Sequence, residues 1–295
     1  MAKKTISFII NPISGTRKKD SWPEIINRNM DVSRYDIRIF FTERVGHASE
    51  LAHQQIKDGV RYIVAVGGDG TVNEVARAVR DTPAAMGIIP CGSGNGLARH
   101  LHIPLKLTDA LTLINKVSVV GIDYGIVNDK PFFCTFGAGF DAHISHSFAM
   151  SKKRGLRIYV LNIVREFFKY RSRKYKLKID GKKIKTKAFM VTIANSAQFG
   201  NNAYISPYAD ITDGKLDVCI VHQFPKFKAV SLSRRLFRKS IHKSSYYRMI
   251  RGKRIILKRK HEGDVHLDGD PYTMGKKLKI SIVPHGLKVL ANSSL

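Results

Sequence analysis

Runs of β-branched and aliphatic residues alternate with segments of helical periodicity through the first 120 residues. Thr5–Ile10 is a short apolar strand that ends at Asn11-Pro12. Ser21–Asn29 reads as a helix, with Pro23 tolerated in its first turn. Asp36–Thr42 alternates as a strand, and Ala48–Asp58 is helical up to Gly59. Tyr62–Val66 is a strand running into Gly67-Gly68-Asp69-Gly70. The helix that follows, Thr71–Arg80, carries Val72, Val75, Ala76 and Val79 on one face. Ala85–Ile89 is the next strand, and Pro90 ends it. Strands separated by helices predict an α/β N-terminal domain, a parallel sheet with flanking helices. Ligands of such sheets bind in the loops at the strands' C-terminal ends.

The period changes after about residue 120. Ile122–Val127, Pro131–Phe136, Tyr175–Ile179, Ile184–Lys187, Phe189–Ala194, Leu216–His222, Arg254–Lys258 and Asp264–Leu267 read as strands. Asp180-Gly181 is a hairpin turn. Gly155–Tyr170 is one long amphipathic helix, and Lys228–Phe237 is a second. Lys279–Val283 and Leu287–Leu290 close the chain. The second half is therefore expected to be a mostly-β sandwich or barrel. The expected division is 1–120 with 284–295 returning to it, and 121–283.

Composition changes that picture in one respect. The 295 residues hold 51 Lys+Arg and 23 Asp+Glu, a formal net charge of +28. The excess is local: residues 151–260 carry 30 basic and 5 acidic residues, the other 185 carry 21 and 18. Such a field attracts phosphates, of nucleic acid or of an anionic lipid surface. The 43% apolar content excludes wholesale disorder. Cys91, Cys134 and Cys219 are too few and too scattered for a disulfide scaffold or a CxxC metal knuckle, which suggests reduced thiols in a cytosolic protein. No apolar run of about 18 residues occurs, and the N-terminus lacks the pattern of a signal peptide.

Three loops follow strands in the first half. Gly67-Gly68-Asp69-Gly70-Thr71-Val72-Asn73-Glu74 opens a helix, so its backbone can approach a phosphate at the positive end of the helix dipole. Asp69 within it suggests Mg²⁺ or catalysis, or else a helix cap. Pro90-Cys91-Gly92-Ser93-Gly94-Asn95-Gly96 is built alike, and Asn11-Pro12-Ile13-Ser14-Gly15-Thr16-Arg17-Lys18-Lys19 ends basic. None fits the dinucleotide fingerprint, the Walker A loop or the Gly-x-Ser-x-Gly elbow. In the second half, Asp210-Ile211-Thr212-Asp213-Gly214-Lys215 has oxygen-rich spacing suited to a hard cation, or is a plain Asp-Gly turn. His266-Leu267-Asp268-Gly269-Asp270 places two carboxylates after a strand, where one can serve as a general base, or the segment is a plain turn.

In order, NPISG, GGDGTVNEV, PCGSGNGLAR, DGKLDV and LDGD resemble the bacterial diacylglycerol kinase-like lipid kinases, relatives of the sphingosine and ceramide kinases. GGDGT alone is shared with NAD kinases. The resemblance spans nearly the whole chain. It implies an ATP-binding α/β domain, a β-sandwich domain for the lipid, and transfer of the γ-phosphoryl group to a lipid hydroxyl with Mg²⁺. Nucleotide contacts are implied at Asn11, Pro12, Ser14, Gly15, Thr42, Gly67, Gly68, Asp69, Gly70, Thr71, Asn73, Glu74, Gly92, Ser93 and Asn95, with Arg17 or Lys18 offsetting phosphate charge. The general base falls on Asp270, helped by Asp268, with Asp69 orienting metal or nucleotide. Many family members have Glu where this chain has the shorter Asp270. A structural Mg²⁺ is implied at Asp210, Asp213 and the Lys215 carbonyl. The Gly-Ser-Gly-Asn-Gly loop looks more like the sphingoid-base kinases than the Gly-Thr-x-Asn-Asp of many bacterial members, and it does not fix the acceptor.

Phosphoryl transfer needs positioning and charge neutralisation rather than covalent chemistry, so this assignment is physically coherent. The expected partners are a lipid substrate and an anionic membrane surface, with no specific nucleic acid and a homodimer left open. The expected location is cytoplasmic, peripheral to the inner face of the membrane. The alternatives are an NAD kinase-like enzyme and a basic nucleic-acid-binding protein whose charge supplies non-specific affinity.

Overall fold

The computed structural model describes residues 3–15, 19–116, 118–149 and 156–292, the side chains of 148 and 156–162 excepted. The chain divides into two compact units, Met1–Asp123 with Pro284–Leu295, and Tyr124–Val283.

The first unit alternates strand and helix: β1 Lys4–Ile10, α1 Trp22–Asn29, β2 Tyr35–Phe41, α2 His47–Lys57, β3 Tyr62–Gly67, α3 Asp69–Val79, β4 Ala85–Pro90, α4 Gly96–His100 and α5 Leu107–Lys116. The four strands are parallel and lie in the order β4-β3-β1-β2. Ile6, Ser7, Phe8, Ile9 and Ile10 are all fully buried, because helices cover both faces of the sheet. Ser7 Oγ, inside this core, donates to Gln55 Oε1 of α2 at 2.8 Å, so the buried hydroxyl is satisfied. α5 was not anticipated, although Leu107, Ala110, Leu111 and Ile114 bury one face at helical spacing.

β5 Ser118–Val127 leads into the second unit. There follow β6 Lys130–Phe132, β7 Thr135–Gly139, α6 Phe140–Ala149, α7 Leu156–Lys169, β8 Arg173–Ile179, β9 Lys182–Ala194, β10 Leu216–His222, α8 Ala229–Phe237, β11 Tyr247–Gly252, β12 Arg254–Lys258, β13 Gly263–Leu267, β14 Asp270–Met274 and β15 Lys277–Ala291. The main path is β14-β13-β7-β9-β8-β12-β15, with β10 joining β9 to β11. These pairings are antiparallel, so the unit is a mostly-β domain. Its core gathers Phe132, Phe136, Tyr175, Leu177, Val191, Ile193, Val218, Ile255, Leu257, Val265 and Leu278. A second cluster, with Met190, Ile205 and Cys219 buried, packs Phe140, Phe189 and Phe224.

The structure redraws several strands for identifiable reasons. Pro131–Phe136 is not one strand: the Phe133 and Cys134 N–H groups donate to the Asp268 carboxylate, which separates β6 from β7. Ile184–Lys187 and Phe189–Ala194 are one strand, because Ala188 pairs with Arg173 on β8 and, past a bulge, with His222 on β10. Lys279–Val283 and Leu287–Leu290 are also one strand. Its first part pairs with β12, and Val289 pairs in parallel with Met86 of β4.

Candidate phosphate-binding loops and acidic hairpin

Three loops of the first unit leave adjacent strands at the same edge of the sheet. The ladder continues into them: Thr42 N–H donates to Ile10 O, Asn11 N–H to Val66 O, and Cys91 N–H to Gly67 O, at 2.9, 2.9 and 2.8 Å. β1 and β3 are the neighbours between which the strand order reverses, the crevice where open α/β sheets bind ligands.

The loops touch through their glycines. A Cβ on Gly92 would lie 2.8 Å from Gly68 Cα, and one on Gly94 would lie 2.6 Å from Asp69 Oδ2. Gly15, at φ +70°, faces the Cys91 carbonyl so closely that any side chain would collide with it. Backbone from the strand ends is thus closely packed, Gly68 against Gly92 and Gly15 against the Cys91 carbonyl. This exposes main-chain N–H groups at the N-terminus of α3, where the helix dipole favours an anion. Asn11 Nδ2 donates to Thr71 Oγ1 at 3.1 Å and ties the first loop to the second.

The two acidic residues of the central loop both cap neighbouring helices. The Asp69 carboxylate accepts N–H bonds from Asn95 at 2.9 Å and Gly96 at 2.7 Å, closing the N-terminus of α4. Glu74 accepts from Gly46 at 2.9 Å and Ala48 at 3.1 Å, closing α2. Asp69 is therefore a cap, but of a different helix from the one it begins. Asn95, at φ 50°, holds its own loop by accepting from Gly92 N–H and donating back to Gly92 O.

Of the other expected contacts, Thr42 and Thr71 are buried, and Ser93 and Gly70 are exposed. Asn73 is 4% exposed, and its buried Nδ2 has no hydrogen-bond partner among the described residues. Arg17 and Lys18 lie outside the described residues. A cation the structure shows beside these loops is Lys19, absent from the expected set. It is buried, donates to the carbonyls of Ser14 and Pro12, and sits 5.4 Å above the Trp22 ring. Burial lowers its pKa. A pocket of about 190 Å³ is lined by Ser14, Gly15, Lys19, Cys91, Gly92, Asn95 and Arg99, with Trp22, Leu105 and Leu107 behind. As the last of three basic residues in a loop, Lys19 carries no local signal of burial.

In the second unit, Asp268-Gly269 forms the turn of the β13–β14 hairpin, with φ 53° and 94°. Both positive values match a type I′ turn. The Asp268 carboxylate accepts three backbone N–H bonds, from Phe133 at 2.8 Å, Cys134 at 2.7 Å and Thr135 at 2.9 Å. Burial pushes its pKa up to about 6 against the opposing pull of those bonds. Asp268 thus anchors the hairpin to the β6–β7 turn. Asp270 is half-buried at the start of β14, paired in register with Leu267.

A buried dyad supports the same hairpin. His266 Nε2 lies 3.4 Å from Asp141 Oδ2, and His266 Nδ1 accepts from Gly269 N–H at 3.4 Å. With Nδ1 accepting, Nε2 carries the proton and donates to Asp141. Thr192 Oγ1 donates to the same Asp141 oxygen at 2.7 Å. Gly137 makes room: a Cβ there would collide with both His266 and Asp141. Sequence reading gave no role to any histidine. The signal available was a histidine two residues before Asp268, between the core positions Val265 and Leu267.

The Asp210–Asp217 segment is a turn rich in carboxylates. Asp210 Oδ1 accepts from Thr212 N–H and Oγ1, Asp213 Oδ1 accepts from Lys215 N–H, and Asp213 Oδ2 lies 3.6 Å from Arg251. Two carboxylates and nearby carbonyls are hard oxygen donors of the kind Mg²⁺ or Ca²⁺ takes, with Arg251 already balancing part of their charge. Among the described residues no cluster of three or more His, Cys, Asp or Glu has the arrangement of a metal site. No described helix is long and apolar enough to cross a membrane.

Comparison with known proteins joins these two units. Residues 5–127 match the diacylglycerol kinase catalytic domain, and residues 134–291 match the YegS C-terminal NAD kinase beta sandwich-like domain. A probable lipid kinase YegS-like protein of Pectobacterium atrosepticum is 27% identical over 85% of this chain and 84% of its own. Another of that name, from Chromohalobacter salexigens, is 29% identical over 62% of this chain; the match spans 61% of the relative's length. The crystal structure of a diacylglycerol kinase from Bacillus anthracis superposes with a TM-score of 0.76 at 20% identity, covering 99% of this chain and 98% of that one. At that identity the likeness establishes the fold.

Proposed function

Because the chain belongs to the diacylglycerol kinase-like lipid kinases, we propose that it transfers the γ-phosphoryl group of ATP to a hydroxyl of a membrane lipid, a diacylglycerol or a sphingoid-type acceptor. The observation that carries this reading is the contact of three glycine loops at one sheet edge, which leaves a backbone cradle shaped for phosphates.

Each role rests on the chemistry of its residues. Main-chain N–H groups of the Gly67–Thr71 loop and the helix α3 dipole hold phosphate oxygens. Lys19 brings a positive charge to the loop that ends β1. Asn73 supports a polar ligand, since its buried Nδ2 has no hydrogen-bond partner among the described residues. Asp69 and Glu74 position the cradle by capping α4 and α2, rather than touching the phosphates. Asp270 accepts the proton of the lipid hydroxyl as its oxygen bonds to the γ-phosphorus. The bond from that phosphorus to the β-phosphate bridging oxygen breaks, and ADP leaves. Asp268 and the His266–Asp141 dyad fix the hairpin that presents Asp270.

Mg²⁺, when bound with the nucleotide, neutralises the charge that develops on the transferring group. A second, structural ion fits the donor chemistry of Asp210, Asp213 and the Lys215 carbonyl. A lipid acceptor puts the reaction at a bilayer, so the protein is assigned to the inner membrane face as a peripheral enzyme. A transfer assay with labelled ATP, a panel of lipids in mixed micelles, and NAD tests the assignment. Label on a lipid hydroxyl is expected; label on NAD and on no lipid would overturn it.

A further inference from the structure

The exposed face of one sheet in the second unit is a lattice of lysines. In the β8–β9 hairpin, Lys174 is directly opposite Lys187, Lys176 opposite Lys185, and Lys178 opposite Lys183. The pattern continues across the sheet: Lys176 faces Lys258 of β12, Lys258 faces Lys277 of β15, and Ile256 of β12 lies between Lys178 and Lys279. All nine lysines are exposed. Lys185, Lys176, Lys258 and Lys277 form one continuous row over four strands, spaced about 4.8 Å apart across the sheet.

This arrangement opposes the stability of the fold. Like charges directly opposite each other on a sheet are destabilising, and an exposed face is normally laid out with both signs interspersed. None of the nine lysines has a carboxylate partner among the described residues. The opposite face of the same strands carries Tyr175, Leu177, Ile179, Ile255, Leu257 and Leu278 into the core. The strands are therefore fixed in register by their apolar face, and the lysines are held in place against their repulsion. A local rule broken this regularly points to an external counter-charge.

We propose that this lattice is the surface by which the protein docks on an anionic lipid bilayer. The choice of a bilayer rests on the lipid-kinase reading above. It also fits the face itself, which is an open sheet surface rather than a groove. Its one non-lysine member within the rows is Ile256, so it offers no aromatic platform on which bases of a single strand could stack. Polybasic surfaces gain affinity for anionic leaflets roughly in proportion to their charge. The exposed apolar residues of α8, Val230 and Phe237, with Phe227 in the turn before it, are the rival contact. Scattered apolar residues of that kind are ordinary on protein surfaces, whereas nine unpaired lysines in register are not.

The test exploits the register. The triple variant Lys174→Glu, Lys176→Glu, Lys178→Glu puts a carboxylate opposite each of Lys187, Lys185 and Lys183, and so relieves the repulsion while removing the field. We expect a thermal midpoint equal to or above that of the wild type. Affinity for phosphatidylglycerol–phosphatidylcholine vesicles should fall by about 100-fold or more, with a flatter salt dependence. Phosphorylation of a soluble short-chain acceptor should stay unchanged. Unaltered vesicle affinity, or loss of it only in the Phe227→Ser, Val230→Ser variant, would overturn the proposal. So would duplex DNA displacing the vesicles from the wild-type protein at equal charge concentration. Vesicle binding is read without ATP: if it depends on the lysines while no lipid is phosphorylated, the docking surface stands and the kinase reading falls.

Discussion

Asp69 holds Asn95: a carboxylate in the first turn of α3 accepts the backbone N–H that begins α4, at 2.9 Å, and the Gly96 N–H beside it at 2.7 Å. Two of the three glycine loops are thereby fixed to each other by one side chain. Replacing Asp69 by Ala leaves two donors without their acceptor, a cost of about 1–2 kcal/mol in stability. ATP affinity should fall with it, since the Gly92–Asn95 loop loses its anchor. Urea unfolding and nucleotide titration of Asp69→Ala check this; an unchanged midpoint with unchanged affinity would remove Asp69 from the scaffold.

Gly137 is the space in which His266 meets Asp141, and an added methyl would collide with both. Gly137→Ala should separate the dyad and release the Gly269 N–H bond that orients the Asp268–Gly269 turn. Misplacing a catalytic group by about 1 Å can cost on the order of 100-fold in rate. The expected signature is a large fall in kcat with the KM for ATP unchanged within about 2-fold. Rates are compared at equal folded concentration; a parallel rise in the KM for ATP would show that the change reaches the nucleotide site rather than displacing the acidic hairpin alone.

Asp268 gives a pH dependence of definite sign. Burial raises its pKa to about 6 in the folded protein, above the value of about 4 in an unfolded chain. The folded state therefore binds this proton more tightly than the unfolded state does. Its contribution to stability is fully present below pH 4 and is lost as the pH rises through 6. Asp268→Asn cannot ionise, so the part of the stability profile between pH 4 and 7 that falls with pH should flatten. Identical slopes in the two proteins would contradict the assignment. The variant should also be less stable at every pH, because an amide cannot accept all three N–H bonds from Phe133, Cys134 and Thr135.

Much of the architecture was legible in the sequence, and the reasons for the exceptions are specific. β1 to β4 and α1 to α3 appear where the apolar periodicity puts them, since each buries a regular stripe against its own neighbours. The glycine loops were legible as close backbone approaches at the strand ends, and the structure shows Gly68 against Gly92 and Gly15 against the Cys91 carbonyl. What the sequence did not carry was long-range capture of backbone N–H groups. Asp268 splits Pro131–Phe136 into two strands from 133 to 135 residues away along the chain, and no local pattern announces that. Asp69 could be read from its loop as a metal ligand or as a helix cap, and it caps not its own helix but α4, while Glu74 caps α2. Lys19 and His266 were passed over because burial of a polar side chain is a property of the packed structure. The lysine lattice lay in plain view as composition, but its directly opposed pairs exist only in the register.

Thiol reactivity tests the pocket itself. Cys91 is half-exposed and lines it, Cys134 is 7% exposed, and Cys219 is fully buried with its thiol pushed up to about 12. Burial and a suppressed thiolate make a cysteine inert. In the folded protein iodoacetamide should modify Cys91 well before the other two, and ATP should slow that modification. Mass-spectrometric mapping of the labelled sites decides it; equal labelling of all three, or no protection by ATP at any concentration, would argue against nucleotide in this pocket.

The reaction proposed for this chain is phosphorylation of a lipid hydroxyl with Asp270 as the base. Transfer of label from γ-³²P-ATP to diacylglycerol and sphingoid bases in mixed micelles, measured for the wild type and for Asp270→Asn, tests it most directly. Label in lipid is expected with the wild type, about 100-fold or more less with Asp270→Asn at equal folded concentration, and loss of transfer on chelation of Mg²⁺. Lipid labelling at the wild-type rate by Asp270→Asn, or labelling of NAD and no lipid by the wild type, would contradict it.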